Sequence, residues 1–138
     1  MEQEVFSDIV KNYLSERYPQ FLDSIKYKAD GSFDCSLKNP AKEFSVWIDT
    51  SNEEITIGLE DPASISGCHT HFTPYEDDTV EVLSDLSKLL EEIFTNKCVF
   101  YHSNISGFSW SSDIVKTLIE KKAEEAIEFF TWDGPVSI

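Results

Sequence analysis

Positive charge is scarce in this sequence, which carries 11 Lys and Arg against 26 Asp and Glu over 138 residues, a formal net charge of −15. A field of that sign repels nucleic acid and anionic lipid and hastens encounter with basic proteins. Cysteine is scarce too. Cys35, Cys68 and Cys98 are odd in number and lack C-x-x-C spacing, which argues against a disulfide framework and for reduced thiols in a cytoplasm. No apolar run approaches the roughly 20 residues that a membrane-crossing helix needs. The opening segment does not read as a secretory signal, because Glu2, Glu4 and Asp8 stand where a basic start and an unbroken apolar run belong. Also missing are a Gly-rich phosphate loop, an EF-hand calcium loop and a zincin helix, and Ser66-Gly67 is no nucleophile elbow. No cofactor is implied.

What is present is enough apolar material to fold. Hydrophobic residues make up 41% and aromatics 13%, so the acidic excess belongs on a folded surface and not on a disordered tail. The length predicts one domain over 1–138. Phe6, Ile9, Val10, Tyr13 and Leu14 recur at helical spacing over 3–17, before Pro19 ends the helix. A short apolar segment, 21–27, adds a further turn, and Asp30-Gly31 turns the chain. The period then changes to two: Phe33, Cys35 and Leu37, then Phe44, Val46 and Ile48, then Ile55, Ile57 and Leu59 alternate with polar or small neighbours. Three such strands with short connections predict an antiparallel meander. Residues 61–68 read as a Pro, Ser and Gly loop, and 69–72 as a fourth extended piece.

The strongest helix spans about 78–95, with Val80, Leu83, Leu86, Leu90 and Ile93 on its apolar face and Asp77, Asp78 or Thr79 as its cap. Strands follow at 98–101 and 108–110, then a short helix at 113–122 and a final strand from 126 to 132. The expected fold class is α+β: an antiparallel sheet of about five to six strands with an N-terminal helix and a central helix packed on it.

His69-Thr70-His71 is the most distinctive short pattern. Alternate residues of a strand share a face, so both imidazoles can meet one metal ion, with His102, Cys68 or an acid of 76–78 as a third ligand. The competing reading has them bonding loop groups at the sheet edge. A cyclic phosphoesterase needs two paired His elements, one as base and one as acid, and neither His69-Thr70-His71 nor His102-Ser103-Asn104 has that form. Cys68 and His69 are sequence neighbours and therefore face opposite sides of a strand, and Cys35 and Cys98 fit small core positions. The expectation is no catalytic residue and no bound metal.

Trp47 lies on the opposite side of its strand from Phe44, Val46 and Ile48, either exposed as an anchor or packed beneath a helix; Trp110 and Trp132 fit a buried or half-buried place. An aromatic anchor among polar groups is a common interface composition. Acidic runs fall at 53–54, 60–61, 76–78, 91–92 and 124–125, and an excess of like charge destabilises the compact state through self-repulsion.

The run Ile55-Thr56-Ile57-Gly58-Leu59, followed by His69-Thr70-His71-Phe72 before an acidic helix, resembles the small acidic immunity proteins that bacteria encode beside secreted polymorphic toxins, contact-dependent growth inhibition systems among them. The resemblance covers roughly residues 44–100 and carries over no site residue. It implies a cytoplasmic inhibitor that blocks a cognate basic toxin domain, a nuclease by preference, through electrostatic and steric means. The contact residues expected from the sequence are Trp47, Asp49, Glu60, Asp61, Glu76, Asp77 and Asp78. Direct contact with nucleic acid or membrane is not expected, and self-repulsion favours a monomer. The alternatives are a small metal-dependent or phosphoesterase-like enzyme centred on His69 and His71, or an acidic adaptor of another basic protein.

Overall fold

The computed structural model describes residues 1–62, 66–111 and 113–136. Helix α1, Gln3–Arg17, buries Phe6, Ser7, Val10 and Leu14 and stops where Tyr18 N–H reaches Leu14 O at 2.7 Å ahead of Pro19. A 3-10 turn, Pro19–Ser24, buries Phe21. Five antiparallel strands follow in sequence order: β1 Lys26–Tyr27, β2 Phe33–Lys38, β3 Ser45–Asp49, β4 Ile55–Glu60 and β5 Ser66–Phe72. The meander read from the alternation is thus present, with β1 added at its edge. Gly31, at φ +90°, closes the β1–β2 turn through a bond from its N–H to Lys28 O. The expected loop over 61–68 is shorter, because Ser66–Cys68 already pair with β4; residues 63–65 of it lie outside the described residues.

Helix α2, Thr79–Phe94, is capped by Asp78, whose Oδ1 accepts from Val80 N–H at 3.1 Å and Glu81 N–H at 3.3 Å. It ends in a Schellman motif: Asn96 has φ +63°, Lys97 N–H donates to Glu92 O and Asn96 N–H to Ile93 O. Its inner stripe is Val82, Leu86, Leu90 and Ile93. This corrects the expected stripe at its first member, since Val80 is 77% exposed. Counting back from Leu86, one turn arrives at Val82, while Val80 points out of the first turn.

The later strands do not extend the first sheet. β6 Val99–Ser103 pairs with β7 Gly107–Ser111 and with β8 Ile127–Thr131, and β8 pairs with β9 Gly134–Pro135, giving a second antiparallel sheet in the order β7-β6-β8-β9. Helix α3, Ile114–Glu120, lies between β7 and β8 in sequence, with Asp113 at its N-cap.

One buried cluster joins these pieces. It takes Val10 and Leu14 from α1, Leu86 and Leu90 from α2, Val46, Ile48, Ile57 and Leu59 from the first sheet, and Phe100, Phe108 and Phe130 from the second. Phe44 is its aromatic hub, with ring centroids 5.4 Å from Phe100 and Phe108, 5.9 Å from Trp132 and 6.1 Å from Phe130. Trp132 is buried and Trp110 half-buried, as their sequence context indicated. A buried polar knot pins α1 to the sheet: Ser7 Oγ and Thr50 Oγ1 are 2.9 Å apart, Gln3 Nε2 donates to Thr50 O, and Phe33 N–H donates to Thr50 Oγ1. The apolar face of the first sheet is therefore occupied by the core, and its polar alternate residues form the opposite, open face. No helix among the described residues is long and apolar enough to cross a membrane.

Candidate functional site

The open face follows from register. Ser36, Trp47, Gly58 and His69 lie side by side across β2, β3, β4 and β5, and Asp34, Asp49, Thr56 and His71 form the next row. Ser45 and Glu60 pair one step beyond Trp47. Trp47 is half-buried, its indole lying down over Gly58. A Cβ on Gly58 would sit 2.6 Å from Trp47 Cζ2 and 2.7 Å from Cε2. The indole then meets His69 at a ring distance of 6.2 Å, and His69 meets His71 edge-on at 4.9 Å.

Carboxylates surround this aromatic row. Asp34 and Asp49 are directly opposed on neighbouring strands, an arrangement that is unfavourable for like charges. Lys28 offsets it: its ammonium pairs with Asp49 and lies 3.9 Å from Asp34. Burial pushes the Asp49 carboxyl up, but hydrogen bonds from Lys28 and Ser51 outweigh burial and hold it below the ordinary aspartate value. Glu60 is different. Burial, then the charges of Asp34 and Asp61, raise its carboxyl above the ordinary glutamate value, and Lys26 opposes them only in part. Among the described residues no cation lies within ion-pair distance of Glu60. Trp47, Asp34, Asp49 and Glu60, with Ser36 and Lys26, line a cavity of about 340 Å³ in this face.

Of the contact residues expected from the sequence, Trp47, Asp49 and Glu60 come together here, and Asp61 follows at the end of β4. Glu76, Asp77 and Asp78 do not join them. They follow the Phe72 end of β5, which pairs with Ile55, whereas Glu60 is at the other end of β4; five residue steps at about 3.3 Å make roughly 17 Å of strand between the two ends. Asp78 is committed to capping α2, and Asp77 lies 3.2 Å from the Met1 amine. Asp34 was absent from the expected set, yet it lines the same cavity. Its signal was the alternation itself, since it stands between the inward residues Phe33 and Cys35.

His69 and His71 do share a face, as alternation required. His71 Nδ1 is engaged by Glu54 Oε1 at 3.1 Å and Thr56 Oγ1 at 2.8 Å, and Thr73 Oγ1 donates to Glu54 Oε2. His102 is in the second sheet against Phe108, at 4.9 Å between rings. Cys68 belongs to the inward set, where burial pushes its thiol up to about 11. Among the described residues no group of three or more His, Cys, Asp or Glu side chains is placed to hold a metal ion. Burial likewise pushes Cys35 up to about 12 and raises Cys98.

The sequence matches no family model, and no curated protein and no solved structure matches it. The open face is therefore read on its own chemistry.

Proposed function

We propose that this chain is a cytoplasmic immunity protein that binds a cognate bacterial toxin domain, a nuclease by preference, and blocks it without transforming any substrate. One observation carries the reading: the open face of the first sheet presents a half-buried tryptophan, held flat over a glycine, among the carboxylates of Asp34, Asp49 and Glu60. A rigid aromatic centre ringed by one sign of charge has the composition of a docking surface for a cationic protein. A nuclease cleft that grips phosphates is such a surface. The net charge of −15 favours rapid capture of a basic partner, with rates that fall as salt rises.

The test is coexpression with the toxin domain encoded in the adjoining gene. Growth should be restored, and the two proteins should copurify at low salt. Reversing Asp34 and Glu60 to Lys should slow association by about tenfold or more while changing dissociation less. Absence of a complex at low salt would overturn the assignment. The acidic adaptor remains the second reading, because the same surface fits any basic partner. A toxin gene beside this one decides for immunity, and a ribosomal or DNA-binding partner recovered with the chain decides for the adaptor.

A further inference from the structure

We propose that the cavity in the open face receives a single arginine side chain of the cationic partner, its guanidinium stacked on Trp47 and bonded to Glu60. The inference rests on reading this face as a docking surface, and it names what the face grips.

The cavity holds about 340 Å³, at the lower end of the ~300–1,000 Å³ typical of small-ligand pockets. That suits one long side chain better than a folded segment. Its walls include an aromatic side chain and three carboxylates, with Lys26, Ser24, Ser36 and Cys35 completing the lining. The indole of Trp47, lying over Gly58, forms an aromatic wall, and Asp34, Asp49 and Glu60 offer carboxylates. These three are not equivalent. Lys28 already pairs with Asp49 and stands 3.9 Å from Asp34, so one ammonium answers part of their charge from within. Glu60 is half-buried with no cation at ion-pair distance among the described residues, and the charges of Asp34 and Asp61 bear on it.

An incoming cation relieves that conflict. A guanidinium fits better than an ammonium because it is planar and weakly hydrated. It can lie on an aromatic face while its edge donates two parallel hydrogen bonds to a carboxylate. A metal ion fits worse, since no three ligating side chains among the described residues converge on a point.

The experiment is a titration of 15N-labelled protein with three capped tripeptides, N-acetyl-Gly-X-Gly-amide, in which X is arginine, lysine or the uncharged isostere citrulline. The arginine peptide should move the Trp47 indole resonance and the Glu60 amide, with a dissociation constant on the order of 1 mM. Citrulline should bind about tenfold more weakly, and lysine should fall between them. Glu60→Gln keeps the volume and should weaken the arginine peptide by about tenfold, whereas Glu16→Gln on α1 should leave it unchanged. Trp47→Leu should weaken it several-fold, with a thermal melt confirming that this variant is folded. Equal shifts from arginine and citrulline, a stronger response to lysine, or indifference to Glu60→Gln would each overturn the assignment. The same variants, tested against the toxin domain, separate the two claims. A complex that forms as tightly with Glu60→Gln refutes the arginine pocket and leaves the docking reading standing. Peptide binding without any complex refutes the docking reading and leaves the pocket.

Discussion

Gly58→Ala is the sharpest perturbation of the open face, because it adds one methyl group at a place with no room for it. Gly58 does not lie at positive φ, so the backbone itself accepts alanine and any penalty is steric. The new Cβ would stand 2.5 Å from Cys68 O on β5, 2.6 Å from Trp47 Cζ2 and 2.7 Å from Trp47 Cε2. Carbon atoms in contact rest at about 3.5–4.0 Å, so the neighbours must give by roughly an ångström. The indole can tilt off the sheet, but the Cys68 carbonyl is part of the neighbouring strand and moves only with it. Overpacking of this kind costs about 1–3 kcal/mol, which lowers the melting temperature by roughly 3–12 °C for a domain of this size. Urea denaturation gives the free energy, and the Trp47 indole resonance shows whether the ring has lifted. In a Trp47→Leu background the indole part of the clash vanishes while the carbonyl part stays. The cycle should therefore return a coupling of about 0.5–2 kcal/mol. A Gly58→Ala protein within about 0.5 kcal/mol of the parent, with the indole signal unmoved, would refute the packing described here.

Three further outcomes are expected. Phe44→Ala removes the ring that touches Phe100, Phe108, Phe130 and Trp132, and should cost about 3–5 kcal/mol in urea denaturation; a loss near 1 kcal/mol would mean that the two sheets do not share this hub. The native thiols should resist iodoacetamide at pH 8, because burial pushes Cys35 up to about 12 and Cys68 up to about 11 and raises Cys98, leaving little thiolate; mass spectrometry should find alkylation of all three only after unfolding. Asp49 and Glu60 should shift stability with pH in opposite senses. The lowered Asp49 carboxyl contributes stability that is present above its unfolded value of about 4 and lost as pH falls through the folded one. Asp49→Asn should therefore weaken the protein at pH 7 and flatten its acid limb. The raised Glu60 carboxyl contributes stability present below its unfolded value of about 4.3 and lost as pH rises through the folded one. Glu60→Gln should accordingly raise the urea midpoint at pH 7, with no gain below pH 4.

The alternation of Phe33, Cys35 and Leu37, of Val46 and Ile48, and of Ile55, Ile57 and Leu59 carried the first sheet from the sequence. Period two leaves only one way to bury a face. It placed Trp47 and Asp49 outward for the same reason. The helical stripe gave α2 its length, and its cap, Asp78, was one of three candidates, Asp77, Asp78 and Thr79. Other features carry no local signal. β1 and β9 have two residues each, too few to show a period. The pairing of β6 with β8 joins Phe100 to Phe130 across a hairpin and a helix, and nothing in either segment names the other as partner. The assembly of Asp34, Trp47, Asp49 and Glu60 needed cross-strand register, which the sequence supplies only after the turns are known. The role of Gly58 as the floor beneath an indole depends on Trp47 being its direct neighbour across the ladder.

Placement, more than total charge, separates the open face from the rest of this acidic surface. Away from it, several carboxylates have structural work. Asp78 and Asp113 accept from helix N–H groups, Asp30 accepts from the backbone and hydroxyl of Ser32, and Glu125 bonds the Ser103 hydroxyl. Such contacts favour the ionised form, and Asp30 and Glu125 are held low in consequence. On the open face Asp49 is likewise held low, but Glu60 is raised. Asp34 opposes Asp49 across the strands, one lysine serves both, and burial and two neighbouring charges work against the ionised form of Glu60. Folding alone gives no reason to gather like charges there, since glutamine at 60 would fill the same space without the repulsion. Under the proposed docking, a cationic partner would supply the reason, because its arrival would turn the conflict into attraction. The expected signature is a single substitution, Glu60→Gln, that makes the isolated protein more stable at neutral pH and the complex weaker.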